Sequence, residues 1–77
     1  MDAQFVKILK TVAELPDDFE IRLEQELKSD LEIDSLGLID VVLNLEADFS
    51  ADMDEVALAK VVTVGDLWAE VVRATAS

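Results

Sequence analysis

Residues 31–49 read Leu31-Glu32-Ile33-Asp34-Ser35-Leu36-Gly37-Leu38-Ile39-Asp40-Val41-Val42-Leu43-Asn44-Leu45-Glu46-Ala47-Asp48-Phe49, and this stretch decides the fold. Asp34 and Ser35 both stand where a helix N-cap is expected, immediately before a long apolar-periodic run. The Ser35 hydroxyl is thereby placed at or beside the unpaired N–H groups of a helix start, where the backbone and its dipole favour an anion. Two readings of Ser35 follow from the residues alone. It is a plain cap, or it is a hydroxyl whose phosphate ester would be held by the helix end.

The helix predicted after it carries two apolar stripes at 100° per residue. Leu38, Val41, Val42, Leu45 and Phe49 recur at spacings of three, four and seven, as a core face does. Leu36, Ile39 and Leu43 form a second stripe beside Ser35, flanked by Asp40 and Ala47 on one edge and by Glu46 on the other. A helix apolar on two sides in a small domain is either wrapped by neighbours or presents a face to partners. The acidic flanks favour a partner face.

Composition narrows the class. With 77 residues the chain fits a single domain, 1–77, and its 52% hydrophobic content, two glycines and one proline favour an all-helical core. It lacks an apolar run long enough to span a bilayer and a basic-then-apolar leader, so a cytoplasmic protein that does not enter the membrane is expected. The formal charge is −12, and between Lys28 and Lys60 there is no base at all but nine acids. Such a field repels nucleic acid and steers basic protein patches toward the chain. There is neither His nor Cys, which removes Ser-His and Cys-His nucleophile pairs, the usual zinc sites and disulfides. The four lysines lie away from Ser35 in sequence, so catalysis by this chain alone is not expected.

Along the chain, Asp2 caps a first predicted helix in which Phe5, Ile8, Leu9, Val12 and Leu15 form one stripe, ended by Pro16. Residues 16–33 read as a long ordered loop pinned to the core through Phe19, Ile21, Leu23, Leu27 and Leu31, with a helical turn near 23–27, a full extra helix there being the main alternative. Asp54 caps a brief helix running to Val61, with Val56, Leu58 and Ala59 turned inward. Thr63-Val64-Gly65-Asp66 reads as a capping box with Asp in place of Glu. It opens a last helix with Val64, Leu67, Trp68, Val71 and Val72 on one face. The fold class is therefore all-α, with four helices, a long loop between the first and second, and a short third.

These features together resemble the acyl carrier protein family. The residues that carry the resemblance are Asp30-Leu31, Asp34-Ser35-Leu36, Leu45-Glu46-Ala47-Asp48-Phe49 and Val61-Val62-Thr63-Val64-Gly65-Asp66. It implies a freestanding, monomeric carrier with a four-helix acyl-carrier-like bundle and 4'-phosphopantetheine attached covalently to Ser35. A separate phosphopantetheinyl transferase would deliver that arm from coenzyme A, with Asp34 and Leu36 in the recognition motif. The arm supplies the thiol that the chain lacks, so acyl groups travel as thioesters while acyl-transferring and chain-elongating enzymes do the chemistry. By the same carry-over, Leu36, Ile39, Asp40, Leu43, Glu46 and Met53 form the partner face. Leu38, Val42, Leu45 and Val61 either line an acyl cavity or simply pack.

The sequence also departs from the family. Glu32 stands where Gly is frequent, which predicts another turn geometry there. Leu38 is bulkier than the small polar residue common at its position. Gly37 and Ala47 replace frequently acidic positions, and Asp54 replaces a common proline, which points toward a polyketide or other specialised pathway over bulk fatty-acid synthesis. An aminoacyl or peptidyl carrier and a cofactor-free helical interaction module are the alternatives. A calcium sensor built on Asp48, Asp52, Asp54 and Glu55 lacks the loop glycine and terminal glutamate of an EF-hand.

Overall fold

A computed structural model describes residues 2–75. Four helices follow one another as α1 (Ala3–Val12), α2 (Ser35–Phe49), α3 (Glu55–Leu58) and α4 (Val64–Thr75). Among the described residues there is no strand, and the all-α architecture with a long first loop and a short third helix is as the sequence predicts.

Asp2 starts α1 by accepting the Gln4 amide at 2.7 Å. The helix ends at Val12, three residues before the expected Leu15. Glu14 turns into the left-handed region at φ 55°, and the Leu15 amide folds back onto the Lys10 carbonyl at 2.9 Å. This closure satisfies a terminal carbonyl that a continuing helix would otherwise use.

The core joins Phe5 and Leu9 of α1, Val41 and Leu45 of α2, and Val64, Leu67 and Val71 of α4, all fully or almost fully buried. Trp68 is half-buried and closes the far end, with its ring centroid 4.9 Å from that of Phe5 and 6.4 Å from that of Phe49. Tilted and edge-on pairs at such distances add to the burial.

The loop is ordered by the core it crosses. Leu27, Leu31 and Ile33 are buried and Phe19 and Ile21 pack against them, whereas Leu23 is half exposed rather than pinned. The loop turns at 23–24, where Gln25 N–H donates to the Arg22 carbonyl at 3.2 Å, and again at 27–30. The loop also pairs with the approach to α4: Leu27 N–H donates to Val62 at 3.0 Å, Val64 N–H to Gln25 at 2.9 Å and Gly65 N–H to Leu23 at 2.8 Å. A Cβ at position 65 would sit 3.1 Å from that Leu23 carbonyl. Glycine there permits the close approach of two backbones.

Two expectations about the C-terminal half need correction. The third helix stops at Leu58, and its Val56 is 67% exposed, with Ala59 exposed as well. In one turn only one side meets the core, and Leu58 takes it. On α4, Val72 faces solvent while Glu70 is buried, its carboxylate forked by the Arg73 guanidinium. The capping box is present as read: Asp66 N–H donates to the Thr63 hydroxyl, and the Asp66 carboxylate accepts from Val62 and Thr63, each at 3.1 Å.

Candidate functional site

The start of α2 resolves which residue caps it. Asp34 is the cap, its carboxylate accepting Gly37 N–H at 2.7 Å and its carbonyl accepting Leu38 N–H at 2.8 Å. Ser35 is the first helical residue and is exposed. Its hydroxyl is spared the capping role. The amides of Ser35 and Leu36 have no partner inside the helix, as the geometry of a first turn requires. Their positive end is open to an anion attached at the Ser35 oxygen.

What holds this corner is the loop before it. Ile33 N–H donates to the Leu27 carbonyl at 2.9 Å, while Leu27 and Ile33 are themselves buried. Glu32 between them has φ 56°. This is the left-handed conformation that glycine adopts freely, so the turn keeps a glycine-type geometry in spite of its side chain, contrary to the expectation of another geometry.

Two clefts flank α2. The first, about 390 Å³, is lined by Ser35 and Asp34 at its mouth, by Leu27, Ile33, Leu38, Leu58 and Val61 inside, and by Lys28 and Glu26 on the loop side. The second, about 430 Å³, lies between α2 and α3 and is lined by Leu38, Ile39, Val42, Leu43, Glu46 and Met53 together with Leu58 and Ala59. Leu38, Leu58 and Ala59 line both and so form the wall between them. Of the four residues considered for an acyl cavity, Val61 lines the first cleft, Val42 the second and Leu38 both, while Leu45 is fully buried in the core.

The second stripe of α2 is uncovered. Leu36 is 74% exposed, Leu43 58% and Ile39 55%, with Asp40 exposed beside them. Met53 is only 7% exposed and sits as the floor of the second cleft instead of on the surface. Val56 is an exposed apolar residue on the neighbouring helix that periodicity had turned inward. Lys28 was also missed: it is remote from Ser35 in sequence but lines the same cleft, because the Ile33-to-Leu27 hydrogen bond folds 27–28 against 33–35. No local pattern announces that contact.

Residues 3–71 match the family model described as the phosphopantetheine attachment site. The chain belongs to that family. A phosphopantetheine-attachment chain carries 4'-phosphopantetheine as its prosthetic group, which agrees with the resemblance to acyl carrier proteins. One curated relative, the acyl carrier protein of Thermotoga maritima, is 39% identical over 51 residues, spanning 66% of this chain and 63% of the relative. The match thus spans less than two thirds of that relative's length.

The residues present fit the group of this family. An exposed hydroxyl at the lip of a cleft leaves a tether room to depart, and the open helix end suits its phosphodiester. No helix among the described residues is long and apolar enough to cross a membrane, and none of them form a cluster of three or more acids, His or Cys able to hold a metal ion.

Proposed function

We propose that the chain is an acyl carrier whose Ser35 bears 4'-phosphopantetheine and carries acyl intermediates as thioesters between biosynthetic enzymes. The observation that supports it most is the position of Ser35: exposed, relieved of capping by Asp34, and set between a cleft and an uncovered apolar ridge. When bound, the group supplies the terminal thiol that a chain without cysteine lacks. Ser35 provides the oxygen of attachment. Asp34 holds the first turn and, with Leu36, is offered to the transferase.

Leu36, Ile39 and Leu43 are the apolar centre of the partner face, and Asp40 and Glu46 its acidic border, with Met53 supporting it from beneath. A small greasy centre rimmed by charge suits brief docking on enzymes with basic patches, fast to form and quick to part. Gly37 and Ala47, uncharged at positions often acidic in fatty-acid carriers, favour a polyketide or other specialised pathway. The chain leaves every bond change in the cargo to its partner enzymes.

Incubation with coenzyme A and a broad-specificity phosphopantetheinyl transferase, followed by intact mass measurement, tests the assignment. The expected result is one added arm on the wild-type protein and none on Ser35→Ala. An equal gain in the variant, or no gain in either, overturns it. Loading with acyl against aminoacyl substrates then separates an acyl from an aminoacyl carrier.

A further inference from the structure

The acids around the Ser35 cleft already have partners. The Asp34 carboxylate accepts from Gly37 N–H, Asp30 accepts from Glu26 N–H at 2.7 Å, and Glu26 accepts from the Ser29 hydroxyl at 3.3 Å. Lys28 stands in their midst, exposed, in the turn that the Ile33-to-Leu27 bond closes against Asp34 and Ser35. Among the described residues the ion pairs are Arg22 with Glu20 and Arg73 with Glu70, and Lys28 belongs to neither. Lys28 is also the one base lining the first cleft, while the second is lined by none. From Ser29 through Ala59 the sequence offers no other cation.

We propose that Lys28 is a positioning residue for the phosphodiester of the arm on Ser35, drawing the arm over the cleft on its own side and away from the partner ridge. The inference rests on the attachment of the arm at Ser35. A phosphodiester there adds a negative charge to a strongly acidic neighbourhood, and beside the helix end the Lys28 ammonium is the one side-chain cation lining the cleft to oppose it. The contact is solvent-exposed and hence weak and screened by salt. That weakness serves a carrier: the resting arm leaves Leu36, Ile39 and Leu43 uncovered, and a docking enzyme with a basic rim can take the phosphodiester from Lys28.

The phosphorus resonance of the arm-bearing protein reads this contact directly. A restrained phosphodiester tumbles with the protein and gives a broad line, while a free one moves on the ps–ns scale and gives a narrow line. In the wild type the line is expected to narrow as salt rises from about 0.01 to about 1 M, over which the Debye length falls from about 30 to about 3 Å. Lys28→Arg keeps that response. Lys28→Ala and Lys28→Glu lose it, giving the narrow line already at low salt. Lys7→Glu on α1 makes the same charge change away from the cleft and retains the wild-type response. A Lys28→Glu line with the full wild-type width and salt response overturns the role of Lys28 while leaving attachment intact. A protein whose mass shows no arm after transferase treatment overturns both.

Discussion

Asp34 accepts the Gly37 amide at 2.7 Å and thereby caps α2 one residue before Ser35. The division of labour between these neighbours is the local basis of the site. One side chain satisfies the helix end, and the next is left exposed and spared the capping role.

Asp34 therefore has a structural role separable from recognition. Asp34→Ala is expected to cost about 1 kcal/mol through the lost cap, lowering the melting temperature by roughly 4–8 °C in a domain of this size. Asn caps about as well as Asp, so Asp34→Asn is expected to melt near the wild type. A slower rate of transferase modification in Asp34→Asn, measured beside its melting curve, then reports recognition of the carboxylate itself.

The two faces of α2 differ in what they contribute. Leu45 is fully buried, and Leu45→Ala is expected to cost about 2–5 kcal/mol. Leu43, more than half exposed, is expected to change stability by no more than about 0.5 kcal/mol on truncation to Ala. Urea unfolding of both variants checks the contrast. Weaker binding of an acyl-transferring enzyme by a fully stable Leu43→Ala protein would locate the partner face.

Glu32 holds a left-handed backbone at φ 56°. Relief of that conformation outweighs the extra chain entropy of glycine in the unfolded state, so Glu32→Gly is expected to stabilise the fold by roughly 0.5–1 kcal/mol. Thermal melting measures it. A lower melting temperature in the variant would show that the glutamate side chain contributes more than its backbone costs.

Asp66 sits below the ordinary carboxylate range because the amides of Thr63 and Val62 donate to its ionised form. A depressed folded-state pKa means stability that is present above the unfolded value and lost as pH falls through the folded one. Asp66→Asn is accordingly expected to be less stable than the wild type at neutral pH. The gap should close as pH falls below about 4, where the unfolded carboxylate begins to protonate. Paired melts across pH 7 to 2 test this, and the difference between the two proteins cancels the repulsion among the other acids.

That repulsion has its own signature. With a net charge of −12 and no clustered metal site among the described residues, added magnesium or calcium is expected to raise the melting temperature by diffuse screening. Sodium chloride at matched ionic strength should reproduce most of the rise. An unchanged melting temperature in all three salts would refute it.

Much of the fold was legible because its signals are local. Helix identity follows from 3.6-residue periodicity, and the starts of α1, α2 and α4 follow from Asp2, the Asp34-Ser35 pair and Thr63 with Asp66. The misreadings share another cause. Val56 and Leu23 lie on a short helix and a loop, and Val72 at the margin of the α4 stripe, where the neighbours that remain available, and not periodicity, decide burial. The end of α1 at Val12 was set by a backbone turn at Glu14, a residue type that does not signal one.

By itself the sequence determined an all-helical chain, a serine at the start of a two-faced acidic helix, and the absence of any thiol or imidazole, because composition and spacing carry those facts. Only the tertiary structure decided that Met53 lies beneath the ridge, that Leu38 divides two clefts, and that Lys28 shares one with Ser35. The physical reason is that these are relations between segments. They arise when the loop folds back through the Ile33-to-Leu27 hydrogen bond and α3, packed on α4, lines a cleft with α2, bringing together residues whose separation along the chain says nothing of their distance in space.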